Sequence, residues 1–376
     1  MSLLLDEHRE YLSDRPRVDA LRRAIHSTVR PGDVVLDLGC GTGLLGLMAC
    51  EAGAGRVYAI DNSGMIQVAR AIAKASPYAD RITHLAGHSM SVDLPERADV
   101  LVFDQIGRLG FEAGLLEFAR DARRRHLKPG ARIMPGPVTI HAALASSAEI
   151  RSRVDFWNGR PAGIDCSPAF LTASNTGYPV DPAHVTLLSG AAPVIVLDPL
   201  AWDDEPLSGR ARVTVSRSTL ADGIAGWFDA ELTPGVHMTN APSSGTRINR
   251  RAAFLPFAAP IALEAGSEWS MTLRLLPADM ILSWEIERAD GSGRVAQSTW
   301  QGMLPTEEEL ARTRGTAVPT LTPRGRARKT VLDLCDGRRT VTAIEHDVAA
   351  RHPELFGSPR DAAVFVAEVL AVYGHI

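Results

Sequence analysis

Three glycines alternate with other residues in Asp37-Leu38-Gly39-Cys40-Gly41-Thr42-Gly43, directly after the apolar run that begins at Val34. Glycine at 39, 41 and 43 removes side chains where a turn needs unusual dihedrals and where a ligand must approach the backbone closely. Asp61 stands 18 residues beyond Gly43, at the end of RVYAID, where a carboxylate can accept hydrogen bonds from a ribose diol. The pattern therefore points to a nucleotide-type ligand, and on spacing alone a nicotinamide dinucleotide satisfies it. The dinucleotide order GxGxxG counted from Gly39 requires glycine at position 44, where this chain has Leu44.

Such a loop works only where a strand delivers it and a helix receives it. Pro31-Gly32-Asp33 punctuates the chain before VVLDL, which reads as a buried strand, and the glycine turn opens into the helix of GLLGLMACEAG. RVYAID closes a βαβ unit. SGMIQVARAIAKAS reads as the next helix, ITHLAG and ADVLVFD as further strands, and GLLEFARDARRRHLKPG as a helix ending at a glycine stop. This alternation predicts an α/β, doubly wound, Rossmann-like domain over residues 31–137, preceded by two short helices in residues 1–30 that Pro16 starts or kinks. From 138 to 311 short alternating segments separated by Gly, Pro, Asp and Asn predict a mostly β domain. Residues 312–330, with Arg312, Arg314, Arg324, Arg326, Arg328 and Lys329, read as a basic linker, and 331–376 as a small unit of helices separated by a turn.

Composition narrows the class. With 45% apolar and 22% charged residues over 376 positions, the chain suits a folded protein of two or three domains. A net charge of -4 gives no pull toward nucleic acid or an anionic membrane. The cysteines at 40, 50, 166 and 335 form no CxxC pair, and His346 and His352 lack companion ligands, so no metal is expected. Cys335 reads as a small buried residue. No run approaches the roughly 18 apolar residues of a membrane helix, and MSLLLDEHREYLSD lacks the features of a signal peptide, so a cytoplasmic location is expected.

The string DLGCGTG resembles motif I of class I S-adenosylmethionine-dependent methyltransferases, and further segments resemble the protein arginine methyltransferases. His8-Arg9-Glu10-Tyr11-Leu12-Ser13-Asp14-Arg15-Pro16-Arg17 is similar to that family's cofactor-covering segment, which implies that Arg17 meets the cofactor carboxylate through its planar fork. AGAGRVYAID is similar to its second cofactor motif, with Asp61 as the ribose acid in place of the usual glutamate. Asp37 either organises the methionine moiety or is a buried carboxylate that caps backbone N–H groups. At the adenine position, LAGHSMSVDLP places Met90 where the family has a glutamate, which implies that Met90 packs against adenine and Ser89 or a backbone group supplies polarity. The resemblance implies S-adenosyl-L-methionine as cofactor, S-adenosyl-L-homocysteine as product, and Gly39, Cys40, Gly41 and Gly43 as its loop.

The family holds the acceptor guanidinium between two acids of one loop. Here FDQIGRLGFE offers Asp104 and, one residue earlier than the family register, Glu112, with Phe111 as a pocket wall. PSSGTRINR resembles the barrel loop that carries Thr-His-Trp, but the matching residues are Thr246, Arg247 and Ile248. Arg247 would put a cation at the mouth of the pocket and favour a carboxylate or phosphate on the acceptor. Phe156-Trp157 through Pro182 occupies the place of the dimerisation arm, which suggests a homodimer, with a monomeric loop as the alternative. LDLCDGRRTVTAIEHDVAARHP followed by FVAEVLAVYG resembles small PqqD-like winged-helix domains, which implies precursor-peptide binding through residues 331–376 by strand addition. The leading expectation is an N-methyltransferase acting on a guanidino or related nitrogen of a peptide or natural-product precursor. A cofactor-binding peptide-recognition protein without transfer activity and a small-molecule O- or C-methyltransferase are the alternatives.

Overall fold

The computed structural model describes residues 4–304, 316 and 318–374, and the chain divides into two units, Met1–Met303 and Leu304–Ile376. The first unit opens with helices α1 (Leu4–Ser13) and α2 (Arg15–Thr28). Asp14 separates them: its carboxylate accepts the Arg17 N–H at 3.4 Å as the N-cap of α2, and Pro16 sits in the first turn, where its missing N–H costs nothing. Ala20, Leu21, Ala24 and Ile25 then form a buried helical stripe that packs α2 onto the body of the unit.

Five parallel strands follow: β1 (Val34–Leu38), β2 (Arg56–Asp61), β3 (Ile82–Ala86), β4 (Ala98–Val102) and β5 (Leu127–Met134). Helices α3 (Leu44–Glu51), α4 (Met65–Lys74) and α5 (Leu115–Arg125) lie between them in sequence. The order β3-β2-β1-β4-β5 reverses the direction of sheet growth between β1 and β4. Loops leaving the C-terminal ends of these neighbours run apart and open a crevice there. Gly39–Gly43 leaves β1 at that point and Phe103–Asp104 leaves β4.

One boundary differs from the sequence reading. Gly130 does not stop a helix: α5 ends at Arg125, and Leu127 already pairs with Ala98 in β5, with Gly130 at φ +76° inside that strand. Pro129 accounts for the early stop, because it lacks an N–H and disfavours a helical Lys128.

The rest of the first unit is mostly β, in a seven-stranded and a four-stranded antiparallel sheet. Its strands begin β6 (Val138–Ser146), β7 (Tyr178–Val180), β8 (Thr186–Leu187), β9 (Ala192–Leu197), β10 (Leu207–Thr214), β11 (Thr219–Thr233), β12 (Val236–Thr239) and β13 (Ala252–Leu263), and the chain reaches the crevice just after β7, at Asp181, and just before β13, at residues 249–251. β11 is central, paired with β6, β12 and β13. One continuous core joins both parts: Leu36, Leu101 and Ile106 on the crevice side share it with Ile140, Phe228, Phe257 and Trp284 of the β sheets. This contiguity fixes the β13 end against the crevice.

In the second unit the described residues form helices Pro323–Leu334, Val341–Arg351 and Pro359–Tyr373, packed around Ala327, Val331, Ile344, Val348, Phe365 and Val366. The first of these overturns the end of the 312–330 linker. Thr322 caps it by accepting the Gly325 N–H at 3.0 Å, and Pro323 fits its first turn. Arg312 and Arg314 lie outside the described residues. No strand occurs among the described residues of this unit, so a wing and its sheet edge are not among them. Cys335 is exposed rather than buried, because it follows the last helical residue, Leu334. No helix among the described residues is long and apolar enough to cross a membrane.

Candidate active site

The glycine loop is built by its backbone. Gly39, Gly41 and Gly43 have φ of +69°, +54° and +80°, in the region where a Cβ is strained. The N–H groups of Gly39 and Cys40 both donate to the Ile60 carbonyl at 2.9 Å, tying the loop to the end of β2. The Gly41 N–H donates to Asp61 Oδ2 at 2.8 Å, while Asp61 Oδ1 accepts from the Ser63 N–H and hydroxyl at 2.8 and 2.6 Å. Side-chain ends fill the space beside these positions: a Cβ on Gly39 would lie 2.4 Å from Gln105 Nε2, and one on Gly41 2.4 Å from the His8 ring of α1, so each of those side chains would have to turn away.

Beneath the loop, Asp37 is fully buried. Its Oδ2 accepts the Gly46 N–H of α3 at 2.8 Å, and its Oδ1 has no partner. Burial pushes its pKa up to about 7, the Gly46 N–H opposes this, and the nearby Asp61 charge adds to it. The capping arrangement accounts for one oxygen only.

Two adjoining cavities open at the crevice. The smaller, about 260 Å³, is lined by Asp61, Gly87, His88, Ser89 and Phe118 among others. The larger, about 610 Å³, runs under α1 and includes His8, Tyr11, Arg17, Asp104 and Arg250. Gly39, Gln105 and Ala113 line both. Ser89 is buried, and its carbonyl accepts from Arg125 at 2.5 Å, whereas Met90 is 41% exposed and lines neither cavity. His88, absent from the sequence expectations, takes the wall position, its ring 5.8 Å from that of Phe118. A histidine before a short 3-10 turn carries no signal that would have singled it out.

Asp104 anchors the larger cavity. Its Oδ2 receives Arg17 Nε at 2.7 Å and Nη2 at 2.6 Å, and Arg250 Nη2 lies 3.4 Å from the same oxygen. Its Oδ1 is buried without a partner. Burial alone would raise the Asp104 pKa, but the Arg250 and Arg17 guanidiniums outweigh it and hold the carboxyl below its ordinary value. Arg17 also donates to the Tyr11 carbonyl at 3.1 Å and lies 5.0 Å from the Tyr11 ring centre. Arg250 donates to the Gly107 carbonyl at 3.1 Å and sits 5.9 Å from the Phe228 ring centre.

The other expected acceptor-side residues are not brought to the cavity. Glu112 folds back on its own loop, accepting the N–H groups of Arg108, Leu109 and Phe111 at 2.7, 3.0 and 3.3 Å. It braces the Asp104 loop instead of facing an acceptor, because three amides of that loop converge on it. Phe111 is core, 4% exposed. Thr246 and Arg247 are exposed and line neither cavity, since the loop turns Ile248 inward and carries Asn249 and Arg250 to the crevice. Asn240 locks this arrangement from a fully buried position: its Nδ2 donates to the carbonyls of Arg108 (2.8 Å) and Arg251 (3.1 Å), and its Oδ1 accepts the Phe228 N–H at 2.9 Å. The Asn249 N–H donates to Asp14 Oδ2 at 2.7 Å, joining the β13 loop to the cover helices.

Residues 35–130 match the family model described as a methyltransferase domain. The chain is 30% identical over 284 residues to the arginine N(omega)-methyltransferase of Streptomyces achromogenes subsp. streptozoticus, covering 73% of this chain and 77% of that one. The chain belongs to the arginine N-methyltransferase family. A second arginine N-methyltransferase, the probable protein arginine N-methyltransferase 6 of Arabidopsis thaliana, is 30% identical over 244 residues, 60% of this chain and 54% of its own length. Two solved structures share the fold. The Trypanosoma brucei PRMT1 enzyme-prozyme heterotetrameric complex with AdoHcy has a TM-score of 0.67 at 22% identity, covering 77% of this chain and 96% of that one. Arabidopsis thaliana protein arginine methyltransferase 10 has 0.65 at 23%, covering 78% and 96%. These folds match the Rossmann-like sheet and the β-barrel-like part of this chain.

The enzyme is an S-adenosyl-L-methionine-dependent methyltransferase with S-adenosyl-L-homocysteine as product. Its residues fit that cofactor. Gly39 and Gly41 leave a cradle that a Cβ would fill, and Asp61 stands at the sheet edge, while the Arg17 guanidinium is held by Asp104 and the Tyr11 carbonyl.

Proposed function

We propose that the protein N-methylates a guanidino or related nitrogen of a peptide or natural-product precursor. The cofactor supplies an electrophilic methyl group. Arg17 binds a carboxylate, Asp61 a ribose diol, and Ser89 with His88 frames the base, while Asp104 draws the cationic acceptor to the crevice and orients it. Such catalysis is positional and electrostatic: the acceptor nitrogen bonds to the methyl carbon as the carbon–sulfur bond breaks, and the nitrogen gives up a proton.

The observation that carries this reading is Asp104, a buried carboxylate at the switch point, held ionised by guanidiniums and with one oxygen left unpartnered. A group that already accepts guanidinium donors is chemically suited to a guanidino acceptor. Glu112 serves the same site indirectly, by holding the Asp104 loop.

Incubation with labelled S-adenosyl-L-methionine and matched guanidino, amino, hydroxyl and carbon acceptors, followed by assignment of the methylated atom, tests the proposal. Methyl on a guanidino nitrogen is expected. Methyl on oxygen or carbon overturns it.

Two finer assignments belong with this reading. Residues 156–182 present exposed Phe156, Ile164 and Leu171, the kind of apolar surface that a second copy covers in a homodimer, which sedimentation would detect. Where the acceptor nitrogen belongs to a peptide, residues 331–376 are assigned to precursor-peptide recognition. Their removal should weaken binding of an authentic precursor, and unchanged binding excludes the role.

A further inference from the structure

Two guanidiniums share one carboxylate oxygen at the floor of the larger cavity. Asp104, Arg17 and Arg250 have side chains only 7%, 11% and 15% exposed. Asp14, the other buried acid at this end, is committed to the N–H groups of Arg17 and Asn249 and forms no ion pair with either guanidinium. Among the described residues, the sole carboxylate paired with Arg250 is Asp104. Its remaining contacts, the Gly107 carbonyl and the Phe228 ring, are neutral.

The consequence follows from charge alone, given the guanidino acceptor proposed above. Once Arg17 is turned to the cofactor carboxylate, Arg250 is the remaining partner of Asp104. A guanidinium that enters and takes the open Oδ1 of Asp104 leaves two buried cations, itself and Arg250, sharing one carboxylate, which is costly. An acceptor that brings its own carboxylate removes this cost: its guanidinium pairs with Asp104 and its carboxylate with the planar fork of Arg250. We propose that Arg250 is a specificity-determining residue that receives a carboxylate carried by the acceptor, so that the acceptor is a free guanidino acid instead of an arginine inside a chain. Arg108 and Arg251, which line the same cavity, add to the attraction for an anionic group.

Three acceptors separate the possibilities under saturating cofactor: L-arginine, agmatine, which is the same chain without the carboxylate, and a peptide with an internal arginine. The expected kcat/KM for L-arginine exceeds that for agmatine and for the peptide by about 10- to 100-fold, the scale of one desolvated charge-assisted contact. Arg250→Gln should bring the L-arginine to agmatine ratio close to one, mainly by raising the KM for L-arginine, and Arg250→Lys should restore part of it. Binding of S-adenosyl-L-homocysteine to each variant reports that the fold persists, and if Arg250→Gln fails that check, Arg250→Lys and the wild-type ratio still decide. Equal use of agmatine by the wild type, or preference for the internal arginine, overturns the inference and leaves guanidino methylation standing. If none of the three is methylated while the cofactor product binds, guanidino methylation falls and this inference falls with it.

Discussion

The two halves of the crevice are made of different material. The cofactor half is backbone: three glycines with positive φ, amides aimed at Ile60 and Asp61, and the side chains of Gln105 and His8 packed where a Cβ on Gly39 or Gly41 would lie. The acceptor half is side chain, with Asp104 and Arg250 converging from distant parts of the sequence, and Arg17 from the cover helices meeting Asp104 at the border between the halves. A backbone-built site is intolerant of volume. A charge-built site is intolerant of imbalance, and substitutions should separate the two.

The largest effect is expected at the centre of the charged half. Asp104→Asn leaves Arg17 and Arg250 buried without their shared anion, and removing one partner of a buried pair costs on the order of 3–5 kcal/mol. Urea unfolding should show this loss together with loss of methyl transfer. A variant as stable as the wild type would mean that the arginines find solvent easily, and the contrast between the halves would fail.

Next comes Asp37, the charge hidden beneath the backbone-built half. Its folded-state pKa of about 7 lies above the ordinary 3.8, so between those values the folded chain holds a proton that the unfolded chain has released. Stability then falls as pH rises through that window, by up to roughly 1.4 kcal/mol per unit, and levels off above about 7. Measured between pH 5 and 8, wild type should lose stability relative to Asp37→Asn until about pH 7 and track it thereafter. Parallel curves throughout would show that Asp37 is ionised in the folded protein.

The same division explains what the sequence reveals. Gly39, Gly41 and Asp61 belong to one βαβ unit, where local spacing dictates placement, so the cofactor loop and parallel sheet are legible from composition and period. Arg250 is not legible. In TRINR two arginines flank Ile248 and Asn249, and which one faces the crevice depends on Ile248 packing into the core and on Asn249 reaching Asp14. Both partners are set by tertiary contacts. Glu112 fails as a sequence inference for a related reason: an acid in an acceptor loop and an acid that braces that loop look identical until the amides of Arg108, Leu109 and Phe111 are placed.

A smaller effect is expected from Gly41→Ala. At φ +54° with the His8 ring 2.4 Å from the added Cβ, the substitution combines backbone strain with displacement of the His8 side chain, about 2 kcal/mol in all. Calorimetry should report S-adenosyl-L-homocysteine binding weakened by about 30-fold, while Asn249 and Arg250 keep their contacts. Unimpaired binding would mean that the loop does not need its bare backbone.

The smallest effect sharpens the comparison most, because it concerns two arginines three residues apart on one loop. Arg247 is exposed and makes no ion pair among the described residues, so Arg247→Ala should change stability by less than about 0.5 kcal/mol. Acceptor KM should move by no more than about twofold, since a solvated cation outside the cavity is screened by salt. Arg250 differs in burial and in sharing Asp104, although the two residues have the same chemistry and nearly the same sequence position. Should Arg247→Ala raise the acceptor KM as far as Arg250→Gln does, the loop would be acting as a diffuse basic rim, and the placement of one guanidinium at the cavity floor would not be what selects the acceptor.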